Sequence, residues 1–139
     1  MGQPYYESNE WANVSPLKSI NGNERKKTRV IAYSTVTDDT KNRKRLSPGT
    51  FLVKITSGHN INKYGPYCKT ASDGREDPAE DGVGFTWEAH DVTLGDRASA
   101  LLYAQCVFDK SELSMEGYSL HGTSLTNLKA MFPSCVFDD

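Results

Sequence analysis

Lys63–Phe85, KYGPYCKTASDGREDPAEDGVGF, holds the densest turn punctuation of the chain and almost no amphipathic period. Gly65-Pro66 and Asp73-Gly74 are turn dipeptides: proline fixes its own φ, and glycine admits the positive φ that tight turns need. The chain is therefore expected to reverse here at least twice. Tyr64, Tyr67, Val83 and Phe85 are large apolar groups spread through this polar stretch. They predict a loop packed onto a core in the manner of a tied-down Ω-loop, and a loop this long in a small protein is commonly functional.

Outward from that stretch the chain reads as strands. Thr28–Val36 (TRVIAYSTV) is β-branched and aromatic and bounded by charge, which predicts a strand. Placed at the edge of a sheet it would offer a row of unsatisfied backbone groups to a strand of another chain. A polar, basic loop over residues 36–45 leads to a turn at Ser47-Pro48-Gly49, and then to Thr50–Ser57 (TFLVKITS), the clearest strand in the sequence. Gly82–Ala89 predicts another strand, its two glycines marking a bulge or a close backbone approach.

Residues 91–96 read as a turn. Ala98–Phe108 fits helix or strand by periodicity alone. Residues 111–116 suggest one helical turn. Leu125, Leu128 and Phe132 recur at helical spacing, with Thr123 or Ser124 as N-cap and Pro133 as the stop. Cys135, Val136 and Phe137 form a last apolar, strand-like piece.

The sum is an α+β, β-rich fold: a small mixed β domain with one short C-terminal helix and an extended N-terminal arm. The expected division is an arm over residues 1–28 and a β-rich domain over 29–139. The arm carries Tyr5, Tyr6, Trp11, Val14, Leu17 and Ile20 as isolated apolar groups among polar ones. So sparse a set does not offset the cost of ordering the backbone, so the arm is expected to order on a partner through its aromatic anchors, or else to remain a plain disordered tail.

With 139 residues the chain is long enough for one core and too short for two. No apolar run approaches the roughly 18 residues of a membrane span, and no basic-then-apolar signal opens the sequence. A soluble protein without membrane contact is expected. Cys68, Cys106 and Cys135 are odd in number and widely spaced, which suggests free thiols in a reducing cytosol.

Charge is unevenly distributed. Residues 25–45 carry eight basic side chains against Asp38 and Asp39, and residues 73–96 carry eight acids against Arg75. Unlike charged surfaces could meet within or between subunits, or both could be solvated faces.

No catalytic constellation stands out. His59, His90 and His121 have no second ligand at a metal-binding spacing, and the acidic stretch lacks the EF-hand pattern. There is no G-x-S-x-G elbow, no cysteine with a nearby histidine, and no phosphate-binding glycine loop. The expectation is a protein without enzymatic activity, metal or cofactor. Nucleic-acid binding is the rival: the basic segment 25–45 with Tyr33 would track a phosphate backbone and stack a base. A pI near 5.9 and the acidic half of the chain oppose it.

The order Lys63-Tyr64-Gly65-Pro66-Tyr67, Ala71-Ser72-Asp73-Gly74-Arg75 and Gly82-Val83-Gly84-Phe85 resembles the lambda-type head decoration proteins of tailed phages. The pattern extends through Leu46–Thr56 before it, and through Ala100–Phe108, Lys110–Leu113 and Leu125–Phe132 after it. The resemblance thus runs from about Thr28 to the C-terminus and leaves the arm outside it. It tips Ala98–Phe108 toward strand.

What the resemblance implies is a structural subunit that assembles in the host cytoplasm as a homotrimer. It would bind the major capsid protein on the outer surface of the expanded head, at three-fold and quasi-three-fold sites, and hold the shell against the pressure of packaged DNA. Tyr5, Tyr6, Trp11, Arg29, Val30, Ile31 and Tyr33 are the expected capsid-binding residues. Tyr64, Tyr67, Val83, Phe85 and Trp87 are the expected trimer contacts.

Overall fold

The computed structural model describes residues 15–115 and 118–138. Among them the chain forms ten strands and one α-helix. In order these are β1 (Leu17–Ser19), β2 (Arg25–Ile31), β3 (Arg45–Leu46), β4 (Phe51–Lys54), β5 (Tyr64–Pro66), β6 (Val83–Thr86), β7 (His90–Asp91), β8 (Arg97–Ala104), β9 (Val107–Asp109), α1 (Gly122–Met131) and β10 (Val136–Asp138). The β-rich α+β class with one short C-terminal helix is therefore the observed one.

Five strands close a barrel in the order β2-β5-β4-β6-β8. Ile31, Leu52, Tyr64 and Leu101, contributed by four of the five, form one buried cluster with Val36, Leu46 and Val92, and this cluster is the barrel interior. The alternate residues Phe51, Val53, Val83, Phe85 and Leu102 belong to a second, larger cluster outside the wall. Phe51, Leu52 and Val53 show no apolar–polar alternation because β4 is buried on both faces. Gly84 stands opposite Leu52 on the inner face, where a Cβ would lie 2.8 Å from the Cβ of Leu101. The close approach expected of this glycine pair is thus located at Gly84.

The outer layer comprises the sheet β1-β9-β10 and the helix. β10 runs parallel to β9, and β1 pairs antiparallel to the other side of β9. Phe85, Phe108, Phe132 and Phe137 meet between this layer and the barrel wall with ring centroids 4.8–6.3 Å apart. Such offset and edge-on pairs add to the burial of large apolar area. Leu128 and Phe132 point into this cluster, while Leu125 packs against it partly exposed. Helix α1 starts at Gly122, ahead of the expected Thr123 or Ser124 cap, and its N-cap His121 makes no side-chain capping bond.

Four sequence expectations need correction. Gly65-Pro66 is not a turn: it lies in β5, with Pro66 opposite Leu52, and Gly65 is required because a Cβ would run into Thr35 and Arg75. The strand expected over Thr28–Val36 begins three residues earlier and gives way to a 3-10 turn at Tyr33–Thr35. The single strand expected over Ala98–Phe108 is two, because Gln105 takes φ 57° and breaks the run into β8 and β9. Finally, residue 28 is not the edge of the folded body: Leu17 is 6% exposed in β1 and Arg25–Lys27 belong to the barrel.

The turn at Asp73-Gly74 forms as expected, with Gly74 at φ 112°. The Asp73 carbonyl accepts from the Thr56 and Ser57 amides at 2.8 and 3.2 Å, which ties the loop down at the end of β4. Arg75 reinforces it, bonding Asp73 at 3.0 Å and the Pro66 carbonyl at 3.4 Å.

Candidate functional site

The barrel is closed along most of its seams but not along β2. This strand pairs with β8 over its whole length, from Arg25 opposite Ala104 to Ile31 opposite Arg97. With β5 it pairs at one position, Ile31 opposite Tyr64. The Ala32 amide donates to the Tyr64 carbonyl at 2.9 Å, so even-numbered residues of this strand turn their backbone groups toward β5. The other side of β8 agrees, since its Ala100 carbonyl accepts from Trp87 at 3.3 Å and its odd-numbered residues are left to face β2. Below the single bridge, the amides of Lys26, Thr28 and Val30 face the side that β5 does not reach. The Thr28 carbonyl there accepts from its neighbour Arg29 Nη1 at 2.8 Å. Arg25–Val30 is thus a strand edge without a partner strand among the described residues.

Side chains along this edge are basic and apolar. Arg25, Lys26 and Arg29 are exposed, Val30 is 39% exposed and Tyr33 45% exposed. Ile31 is buried in the barrel interior, so among the expected capsid-binding residues it serves the core. Asp96 pins the end of the edge by accepting from the Tyr33 amide at 2.9 Å and from Lys63 Nζ at 2.6 Å. The Lys63 ammonium holds the Asp96 carboxyl below the usual range.

Lys27 has the most unusual setting. Its ammonium lies 5.4 Å from the ring centroids of both Tyr64 and Tyr103, in the gap where β2 parts from β5. Burial is the main reason its pKa falls to about 8, with Arg29 and Lys54 lowering it further and Asp81 opposing. Lys26 lies on the other face, 4.3 Å from the Trp87 ring.

The remaining expected residues divide sharply. Tyr5, Tyr6 and Trp11 lie outside the described residues. Tyr64, Val83 and Phe85 are 0–1% exposed and belong to the two cores, so the expected trimer contacts at these positions are corrected to core packing. Tyr67 and Trp87 are half-buried against the outer cluster, and only they keep surface for another subunit.

The basic segment 25–45 does not form one patch. Arg43 and Arg45 bond Asp39 at 3.1 and 3.4 Å, and Lys44 bonds Asp38 at 2.9 Å. Arg43, Lys44 and Arg45 are thereby tied into local ion pairs, while the exposed cations Arg25, Lys26 and Arg29 lie on β2.

A serine–histidine contact that sequence spacing does not suggest occurs between Ser99 Oγ and His90 Nε2 at 2.8 Å. Ser99 is 2% exposed, which leaves its hydroxyl no access to a substrate carbonyl. Burial lowers the His90 pKa, with Glu88 opposing and Arg97 adding to the effect. A cleft of about 460 Å³ between the Tyr33–Thr35 turn, Arg45–Phe51 and the Cys68–Arg75 loop has its arginines committed to Asp39 and Asp73. Among the described residues no three His, Cys, Asp or Glu side chains gather to hold a metal ion, and no helix is long and apolar enough to cross a membrane.

The site is a small β-barrel in which Arg25–Val30 of β2 has, among the described residues, no partner strand on its β5 side, and basic and apolar side chains flank it. Comparison with protein-family models, with curated proteins and with solved structures found no match.

Proposed function

We propose that this protein is a structural, non-enzymatic capsid decoration subunit, binding as a trimer to the outer surface of an expanded phage head at three-fold and quasi-three-fold sites. The observation that carries the reading is the edge of β2 over Arg25–Val30, which has no partner strand among the described residues. A rigid barrel presents the amides of Lys26, Thr28 and Val30 in a row, with exposed Val30 and Tyr33 beside them. An extended segment of a major capsid protein would add to this edge, backbone bonds giving affinity and side chains giving specificity. Expansion of the shell would expose that segment, and three edges per trimer would raise avidity without a large contact area per subunit. The motif order from about Thr28 to the C-terminus supports the same reading.

The test is a pelleting assay with expanded, undecorated capsids, with unexpanded procapsids, and with DNA. Binding to the expanded shell alone, in multiples of three, is expected. Thr28→Pro removes an edge-facing amide while leaving the bonds to β8, a position where proline is tolerated in a strand. This variant should unfold at nearly the wild-type denaturant midpoint yet no longer pellet with capsids. Undiminished pelleting by a folded Thr28→Pro protein refutes the edge as the contact, and retention by DNA in place of capsids refutes decoration.

A further inference from the structure

We infer that Cys106 and Cys135 form a disulfide when the folded protein meets a small-molecule disulfide such as oxidised glutathione, covalently stapling β10 to β9. The two residues are 29 positions apart in sequence but adjacent in the fold. The parallel register of β9 and β10 sets Val107 opposite Val136, and Cys106 and Cys135 are the residues immediately before that pair. The Val136 amide donates to the Cys106 carbonyl at 2.9 Å, and the Gln105 amide donates to Ser134 Oγ at 2.9 Å. These bonds pin the two backbones on either side of the cysteine pair. Neighbouring strands lie about 4.8 Å apart, inside the roughly 4.4–6.8 Å Cα separation that a disulfide spans.

The pair is asymmetric in the way such chemistry needs. Cys106 is fully buried, with its thiol 3.2 Å from the Ala104 carbonyl, whereas Cys135 is partly exposed. The neighbouring Cys106 side chain lowers the Cys135 pKa, helped by the Cys106 and Gln105 amides and the Ser134 hydroxyl. The same interaction, with burial, raises that of Cys106. Cys135 is accordingly the attacking thiolate and Cys106 the resolving thiol.

In the first step the Cys135 thiolate attacks one sulfur of glutathione disulfide. That S–S bond breaks, a glutathione thiolate leaves, and Cys135 carries a mixed disulfide. The negative charge that had disfavoured ionisation of Cys106 is then gone. Cys106 gives its proton to solvent and attacks the Cys135 sulfur, and the second glutathione thiolate departs. Two cysteines are oxidised and one disulfide is reduced to two thiols. The closed loop encloses β9 and α1, so the staple would restrain the outer layer of the fold. The inference does not depend on capsid decoration.

Incubating the folded protein with oxidised glutathione, then alkylating and peptide-mapping it by mass spectrometry, tests this directly. A Cys106–Cys135 cross-link is expected, with Cys68 recovered as free thiol or glutathione adduct. The oxidised protein should melt roughly 10 °C higher than the reduced one, because a loop of this length loses substantial unfolded-state entropy. Cys106→Ser should trap glutathione on Cys135, while Cys135→Ser should leave Cys106 unmodified until denaturant is added. A cross-link involving Cys68, or a stable glutathione adduct on Cys135 of the unaltered protein, would overturn the inference, as would recovery of both thiols unmodified.

Discussion

Lys27→Met removes the half-buried ammonium of β2 while keeping a flexible apolar side chain over Tyr64 and Tyr103. In the folded protein the Lys27 pKa is lowered from 10.5 to about 8, mainly by burial. In the unfolded chain it returns to its ordinary value. Below pH 8 the side chain is charged in both states, and the folded state bears the full cost of a desolvated cation. As pH rises from 8 toward 10.5 the folded protein releases its proton first, so stability increases over that window.

A gap of this size between folded and unfolded values corresponds to about 3 kcal/mol. Partial solvent access to the ammonium screens it, leaving roughly 1–2 kcal/mol. The two tyrosine rings return part of the cost through cation–π attraction of about 0.5–1 kcal/mol each, already counted in the smaller figure. Urea unfolding of both proteins at pH 7 and pH 10 is the assay. Lys27→Met should be the more stable by about 1–2 kcal/mol at pH 7, and its advantage should fall to roughly half of that at pH 10. A difference unchanged between the two pH values, or a less stable variant at pH 7, refutes burial as the dominant influence on this lysine.

Two further predictions concern packing. Gly84→Ala sets a Cβ 2.8 Å from that of Leu101 on the crowded inner face of β6, and should cost about 1–3 kcal/mol in urea unfolding; a neutral result would mean that β6 and β8 part more easily than their pairing implies. Leu17→Ala empties a buried site under β1 and should cost about 2–3 kcal/mol, whereas no change in the unfolding midpoint would return Leu17–Ser19 to the expected arm. Removing residues 1–14 is the matching way to probe Tyr5, Tyr6 and Trp11, because a deletion through residue 28 would also take β1 and the start of β2.

Much of the architecture was legible as local pattern. Phe51-Leu52-Val53 had no alternation because its strand is buried on both faces, and a short run of apolar residues after a turn is how such a strand reads. The helix was readable from Leu125, Leu128 and Phe132, and the loop reversal from Asp73-Gly74, whose glycine takes the positive φ the turn requires. Gly65-Pro66 misled for an equally physical reason. In β5 its glycine answers to the close approach of Thr35 and Arg75, a tertiary contact that a turn dipeptide imitates in sequence.

Local pattern alone establishes that this is a β-rich domain with one short helix. Periodicity, turn residues and branched side chains suffice for that, because they act over a few neighbouring positions. Only the tertiary structure decided which residues meet. It withdrew Tyr64, Val83 and Phe85 into the cores, divided the basic segment by pairing its second half with Asp38 and Asp39, and set Cys106 beside Cys135. The first and last of these follow from strand register and barrel closure, which join positions far apart in the chain and leave no trace in the spacing of either partner alone; the ion pairs join residues four to six positions apart and depend on the fold of one loop.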